Sequence, residues 1–267
     1  MYKILILGNG FIGNNLYQYF SNKYQTSITN KEILDVTCKD IKFDLNLFDI
    51  IICAAGIKNV EFCNQYPNIC FDVNSYGVKN IISKLDKNKK FIYISTDYVF
   101  DGSKGLYSEN DYTNPPNIYG HSKLFGEILT SQHDNHIVVR TSGVFGKGCP
   151  WLQNLLIDLD NAKNIECYSD IYNSPTYVIN LAEMMEDLIK LNFVGTINLC
   201  GSERSNRFHL YRSVSDIFKK DTSLLSEGYS KLNFPKDISL VNHLYCKLSK
   251  KIPNNIQEGL IRLSNEN

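Results

Sequence analysis

The stretch that most constrains this chain is YKILILGNGFIG at residues 2–13, where an apolar run meets three glycines and then passes into an amphipathic segment through Phe20. A strand, a G-x-G-x-x-G turn and a helix in that order form the fingerprint of a dinucleotide pyrophosphate site. Gly8 permits the tight turn, Gly10 lets a pyrophosphate approach the backbone, and Gly13 lets helix and strand pack closely. The helix start, at Phe11 and Ile12, offers free amides to phosphate. A glycine turn in an ordinary βα unit reads the same way in isolation.

A second strand is expected at Gln25 to Thr29, and the position about twenty residues after the first glycine holds Thr29, Asn30 and Lys31. A carboxylate there would bond a free ribose 2′-hydroxyl and repel a 2′-phosphate. Its absence favours NADPH, with NADH left open and Lys31 equally readable as a solvated turn residue. Asp35 and Val36 are placed to edge the adenine. The strand Phe48 to Cys53 ends in Ala54, Ala55 and Gly56, small residues that suit close passage of a cofactor or tight packing. Asn74 falls in an expected helix, Ile69 to Leu85, and reads better as a buried structural amide than as a relay.

Residues 93–123 hold the candidate chemistry. An apolar strand, Phe91 to Ile94, runs into Ser95, Thr96 and Asp97, and after an Asn-Pro-Pro turn a helix to about Ser131 carries Tyr119 and Lys123. Residues four apart share a helix face. A nearby ammonium favours tyrosinate and would lower a phenol pKa from about 10 toward working pH. Tyr119 and Lys123 are thus a candidate acid/base pair, although a surface pair has the same spacing.

A strand at His136 to Thr141 continues the alternation of strands and helices. The expected fold is α/β: a Rossmann, doubly wound parallel sheet with its site at the carboxyl edge, plus a smaller C-terminal α/β lobe. Residues 1–148 should form the NAD(P)-binding domain with the catalytic residues, and 149–267 mainly a substrate-binding lobe interleaved with the end of the sheet. In the second half, helices are expected at Trp151 to Leu159, Val178 to Leu191 and Phe208 to Phe218, strands at Ile165 to Tyr168 and Thr196 to Leu199, and an amphipathic piece from Leu244 to Leu263.

The 28 basic and 28 acidic residues balance, which argues against nucleic-acid or anionic-membrane partners. Eight cysteines without a C-x-x-C pair read as reduced, mostly buried thiols rather than a metal site. No window approaches the roughly 20 apolar residues of a membrane span. A cytoplasmic protein is expected.

GNGFIG at 8–13, STDYVFDG at 95–102, NIYGHSK at 117–123, VVRTSGVFG at 138–146 and SPTYVINLAEMM at 174–185 together resemble the extended short-chain dehydrogenase/reductase superfamily, and within it the dTDP-4-dehydrorhamnose reductases. The resemblance spans nearly the whole chain. It implies that Tyr119 gives a proton to the substrate oxygen, that Lys123 bonds the nicotinamide ribose, that Thr96 binds the same substrate oxygen and that Asp97 binds the sugar. It implies a nucleotide-sugar substrate, no metal in the catalytic step, and a homodimer as one assembly open to the chain.

Two departures stand out. Gly143 replaces the tryptophan of the family's usual RTSWVYG, which leaves the sugar open. Position 97 is Asp where related bifunctional epimerase/reductases carry Cys, so reduction without epimerisation is expected. The alternatives are a non-catalytic partner subunit of the methionine adenosyltransferase type, which would not need Thr96, Tyr119 and Lys123 together, and a nucleotide-sugar epimerase or dehydratase that keeps its cofactor. Arg204 and Arg207 are candidates for the diphosphate but serve equally as loop anchors.

Overall fold

The computed structural model describes residues 1–230 and 235–266. Strand β1 (Lys3–Leu7) leads into helix α1 (Phe11–Ser21), β2 (Gln25–Thr29) and β3 (Ile50–Cys53). Helices α2 (Val60–Gln65), α3 (Pro67–Phe71) and α4 (Gly77–Ile82) then precede β4 (Lys90–Thr96), α5 (Ile118–Thr130) and β5 (His136–Thr141). With Gly195–Asn198 at one edge, five of these elements make a six-stranded sheet in the order 195–198, β5, β4, β3, β1, β2. Strand β1 pairs parallel with both β2 and β3, and β3 parallel with β4. Every residue of β3 and β4 is buried. That is the signature of strands covered on both faces, and it explains their unbroken apolar runs.

The chain divides into two compact units. The first comprises residues 1–100, 112–140 and 185–197 and contains the sheet. Its core includes Leu5, Leu7, Ile51, Phe91 and Tyr93 beneath Val78, Ile81 and Leu129. Each large apolar side chain buried there contributes about 1.5–3 kcal/mol. At its other end Glu186, near the close of helix Val178–Lys190, accepts from Tyr19 at 2.7 Å, Lys23 at 2.8 Å and Tyr24 at 2.8 Å.

The second unit comprises residues 101–111, 141–184 and 198–267. Short strand pairs build it: 144–145 with 176–177 and 165–168 with 225–228 run parallel, and 172–173 with 205–206 antiparallel. Buried hydroxyls tie the first of these pairs. Ser142 Oγ accepts from Ser174 N at 3.0 Å, and Thr176 Oγ1 donates to Ser142 O at 2.8 Å while accepting from Gly201 N at 3.1 Å. The Ser-Pro-Thr motif is therefore a structural knot.

Strands β2, β5 and 165–168 fall where the sequence puts them, but one expected helix and the final amphipathic piece each divide. The piece at Leu244 to Leu263 is two helices, His243–Ser249 and Ile256–Ser264. Lys250, at φ 59°, ends the first, and Asn255 with Glu258 forms a capping box that starts the second. The helix expected at Ile69 to Leu85 is α3 and α4 joined by a π-turn, Asp72–Tyr76. Its cause is Asn74, whose amide bonds Ile57 N at 2.8 Å and Ile57 O at 2.9 Å, while its carbonyl accepts from the Tyr93 hydroxyl at 2.7 Å.

Gly126 lets α5 lie against that turn, since a Cβ there would run into Asn74 O and the Tyr93 hydroxyl. Gly126→Ala is expected to cost about 1–3 kcal/mol through overpacking. Urea unfolding at unchanged m-value reads the loss.

Candidate active site

At the carboxyl edge of the sheet the strand order reverses between β1 and β3, the place where ligands bind in such sheets. Gly8, at φ 97°, lies there with Ala55, whose Cα a Cβ at Gly8 would meet at 2.8 Å. A Cβ at Gly13 would collide with Gly8 O, so this glycine is required for α1 to pack. Gly10 differs, because a Cβ there meets nothing within 4 Å. It is the N-cap of α1 and supplies no side chain to the first-turn amides of Phe11, Ile12 and Gly13. Open space before unsatisfied amides at the positive end of an 11-residue helix suits a pyrophosphate.

The adenosine side is more occupied. Asn30 Oδ1 accepts from Glu32 N at 3.1 Å and Ile33 N at 3.0 Å, and Lys31 is 83% exposed with Nζ 3.7 Å from Asp35. Partial burial works to raise the Asp35 pKa, but the hydrogen bonds of Thr37 and the charge of Lys31 outweigh it and hold the carboxyl below its usual range. Val36 is buried in the core cluster beside Gly77. Gly56 closes the segment after β3, where a Cβ would lie 3.1 Å from Asn74 Oδ1 and 3.8 Å from Lys123 Nζ.

The candidate catalytic residues all belong to the first unit. Asn117 caps α5 by accepting from Gly120 N at 2.9 Å, which starts the helix one residue before Tyr119. Lys123 is 5% exposed; its Nζ donates to Ile94 O at 2.6 Å and lies 3.9 Å from the centroid of the Tyr93 ring. Burial lowers its pKa to about 8 against upward pulls from Cys53, Glu127 and Cys70. Thr96 Oγ1 donates to Asp97 Oδ1 at 2.9 Å and accepts from Tyr98 N at 3.3 Å, and it lies close enough to the Tyr119 phenol to oppose its upward pKa shift. The Tyr98 ring stands edge-on to Tyr119, centroids 5.6 Å apart.

The Tyr119 phenol corrects the expectation drawn from spacing. Its pKa is raised rather than lowered, chiefly by burial and then by the Asp97 carboxylate, with only Thr96 opposing. Lys123 spends its charge on Ile94 O and the Tyr93 ring. Tyr119 therefore keeps its proton across the physiological range, the state a proton donor requires. Asn74 lies beneath this helix as a structural amide, donating to Ser122 Oγ at 2.9 Å.

In the sequence Ser95 has a place in the hydroxyl and acid cluster but no role, and none is assigned to Glu127 or Arg140. The Ser95 hydroxyl donates to Glu127 Oε1 at 2.5 Å, and Arg140 Nη2 donates to Glu127 Oε2 at 2.7 Å, all three residues being buried. The signal was there in the arginine of the apolar strand IVVRT and the glutamate one turn past Lys123.

In the second unit, Gly143 has φ 52°, and a Cβ there would meet Asn173 Nδ2 at 2.8 Å. The side-chain amide of Asn173 thus stands against the position where the family usually has an indole. Trp151 stacks on Tyr211 at 5.6 Å. Arg204 is held by Asp237 at 2.7 Å and lies over the Tyr172 ring, which makes it a loop anchor. Arg207 lies over the rings of Tyr168 and Tyr211.

Residues 2–239 match the family model described as the RmlD substrate binding domain. A dTDP-4-dehydrorhamnose reductase of Aggregatibacter actinomycetemcomitans is 30% identical over 205 residues, which cover 73% of this chain and 70% of that relative. The structure of dTDP-4-dehydrorhamnose reductase from Bacillus anthracis str. Ames in complex with NADP superposes with a TM-score of 0.91 at 25% identity, covering 100% of this chain and 99% of that one. A hypothetical dTDP-4-dehydrorhamnose reductase from Sulfolobus tokodaii gives 0.83 at 28% identity, covering 92% of this chain and 94% of that one. With its Rossmann-type parallel sheet, its glycine turn and a family match running through both units, the chain belongs to the RmlD family of extended short-chain dehydrogenases/reductases.

Proposed function

We propose that this protein is an NADPH-dependent reductase of the 4-keto group of a nucleotide-linked 4-keto-6-deoxy sugar, of the dTDP or UDP type, serving deoxysugar and glycan biosynthesis. The observation that carries the reading is the meeting of Thr96, Asp97 and Tyr119 beside a buried Lys123 in a member of this family. A non-catalytic subunit has no need of that set. Asp97 in place of a cysteine supports reduction without epimerisation.

NADPH when bound supplies the hydride. Gly8, Gly10 and Gly13 with the amides of Phe11 and Ile12 hold its pyrophosphate, Asn30, Lys31 and Asp35 face its adenosine end, and Ala54 to Gly56 line its path toward Lys123. The absence of a carboxylate at Thr29 to Lys31 supports the 2′-phosphate, and Lys31 is exposed enough to meet it.

Hydride addition to a ketone leaves negative charge on one oxygen, which must receive a hydrogen bond and then a proton. Tyr119 enters the reaction protonated and gives that proton. Thr96, turning its hydroxyl from Asp97 to the substrate oxygen, would hold that oxygen beside the phenol. Asp97 binds the sugar as well, and Lys123 holds the ribose in its ammonium form. We assign sugar-nucleotide recognition to the second compact unit. A cytoplasmic setting fits the free cysteines.

Purified protein should consume NADPH with a dTDP- or UDP-linked 4-keto-6-deoxyglucose, with or without a 3,5-epimerase. Failure to turn over any nucleotide-linked ketosugar sinks the reading. Tyr119→Phe should lower kcat by about 10²–10⁴ while NADPH still binds.

The sign of the pH dependence follows from Lys123. Its ammonium fraction falls as pH rises through about 8. The kcat/KM for NADPH, which reports the free enzyme, should therefore drop on the alkaline side with an apparent pKa near that value.

Gly10→Ala separates packing from binding. The added methyl enters open space, so thermal stability should stay within about 0.5 kcal/mol while NADPH affinity, read by fluorescence titration, falls.

A further inference from the structure

We propose that Ser95, Glu127 and Arg140 form the positioning device of the reducing centre, fixing α5 on β4 in the register that brings Thr96, Tyr119 and Lys123 together. Three consecutive strand residues each face a different turn of α5. Ile94 O accepts from Lys123 Nζ at 2.6 Å, the Ser95 hydroxyl donates to Glu127 at 2.5 Å, and Thr96 stands beside the Tyr119 phenol, whose upward pKa shift it opposes. Residues 119, 123 and 127 lie one turn apart along the helix. Sliding the helix by one residue would break all three rungs at once.

The middle rung is the one that a third element clamps. Arg140, on β5, reaches Glu127 through Nε at 3.1 and 3.2 Å and through Nη2 at 2.7 Å, and its guanidinium carbon lies 5.1 Å from the Phe100 ring centroid. The fork leaves the carboxylate no freedom to rotate away from Ser95. A buried ion pair is weak support for stability, and an apolar pair of similar volume often serves as well. Its position here, one turn past Lys123 on α5 and bonded to Ser95 next to Thr96, points to register. The groups around Lys123 are Cys53 from β3, Cys70 from α3, Tyr93 from β4 and Glu127 from its own helix. Burial pushes the Cys53 thiol up to about 11 and the Tyr93 phenol well above 10, which keeps both neutral. Glu127 is the one carboxylate in that set, so the device also favours the charged form of Lys123.

This inference rests on the proposed reductase activity for one of its two readouts. Ser95→Ala removes the middle rung and leaves every charge in place. It should lower kcat with the ketosugar about tenfold or more, with KM for NADPH within about twofold of the parent because the glycine turn is untouched. Glu127→Gln alone strands a buried guanidinium, so the partner variant is Glu127→Gln with Arg140→Met. In that double variant the Lys123 titration, followed by ¹³Cε lysine NMR, should move to lower pH, and the alkaline limb of kcat/KM should move with it. An unchanged kcat in Ser95→Ala together with an unmoved Lys123 midpoint overturns the proposal. So does a loss of activity that only tracks the fraction unfolded by circular dichroism. The NMR titration needs no turnover, so a parent chain that reduces no ketosugar refutes the proposed function while the midpoint still decides the positioning.

Discussion

The burial of the Lys123 ammonium is the constraint on which the rest of the first unit depends. A charged amine taken out of water is costly unless a partner receives it, and here the partners are one carbonyl, Ile94 O, and one ring, Tyr93. Both belong to β4, so the helix carrying Lys123 must lie very close to that strand. Gly126 removes the Cβ that would hold α5 away from Asn74 O and the Tyr93 hydroxyl. The π-turn follows from the same demand, since the Tyr93 hydroxyl beneath Lys123 draws the carbonyl of Asn74 out of the helical ladder.

The sheet was legible in the sequence because its physics is local. Strand β5, HIVVRT, has bounds that its apolar run and the flanking turn residues set by themselves. What was hidden depended on partners distant in the chain. Nothing within Ile69 to Leu85 announces a π-turn, because Tyr93 and Ile57, which cause it, lie outside that stretch. The two-residue strands of the second unit have no period to detect and exist through hydroxyl bonds such as Thr176 to Ser142. The break at Lys250 was within reach, since Pro253 and the Asn255 to Glu258 spacing announce a new helix start.

For the site, the glycine turn and the Tyr-Lys spacing could be read directly, while their electrostatics could not. Spacing pairs Tyr119 with Lys123 and argues for a lowered phenol pKa. Folding gives the ammonium other partners and sets a carboxylate beside the phenol, which reverses the direction. Arg140 illustrates the opposite case, a charge in an apolar strand that is a signal in itself. Its meaning waited on Glu127, thirteen residues away and on another element.

Reversing the Tyr119 shift strengthens the reductase chemistry. A phenol poised near neutrality would exist partly as tyrosinate, able to take a proton from a sugar carbon as readily as to give one to an oxygen. A phenol pushed upward by burial and by Asp97 stays protonated, which suits the proposed role of proton donor. A cysteine at position 97 would supply neither the negative charge that keeps Tyr119 protonated nor the carboxylate that orients Thr96. Aspartate at this position thus supplies both the charge that raises the Tyr119 pKa and the carboxylate that accepts from Thr96, which supports the proposed reduction without epimerisation.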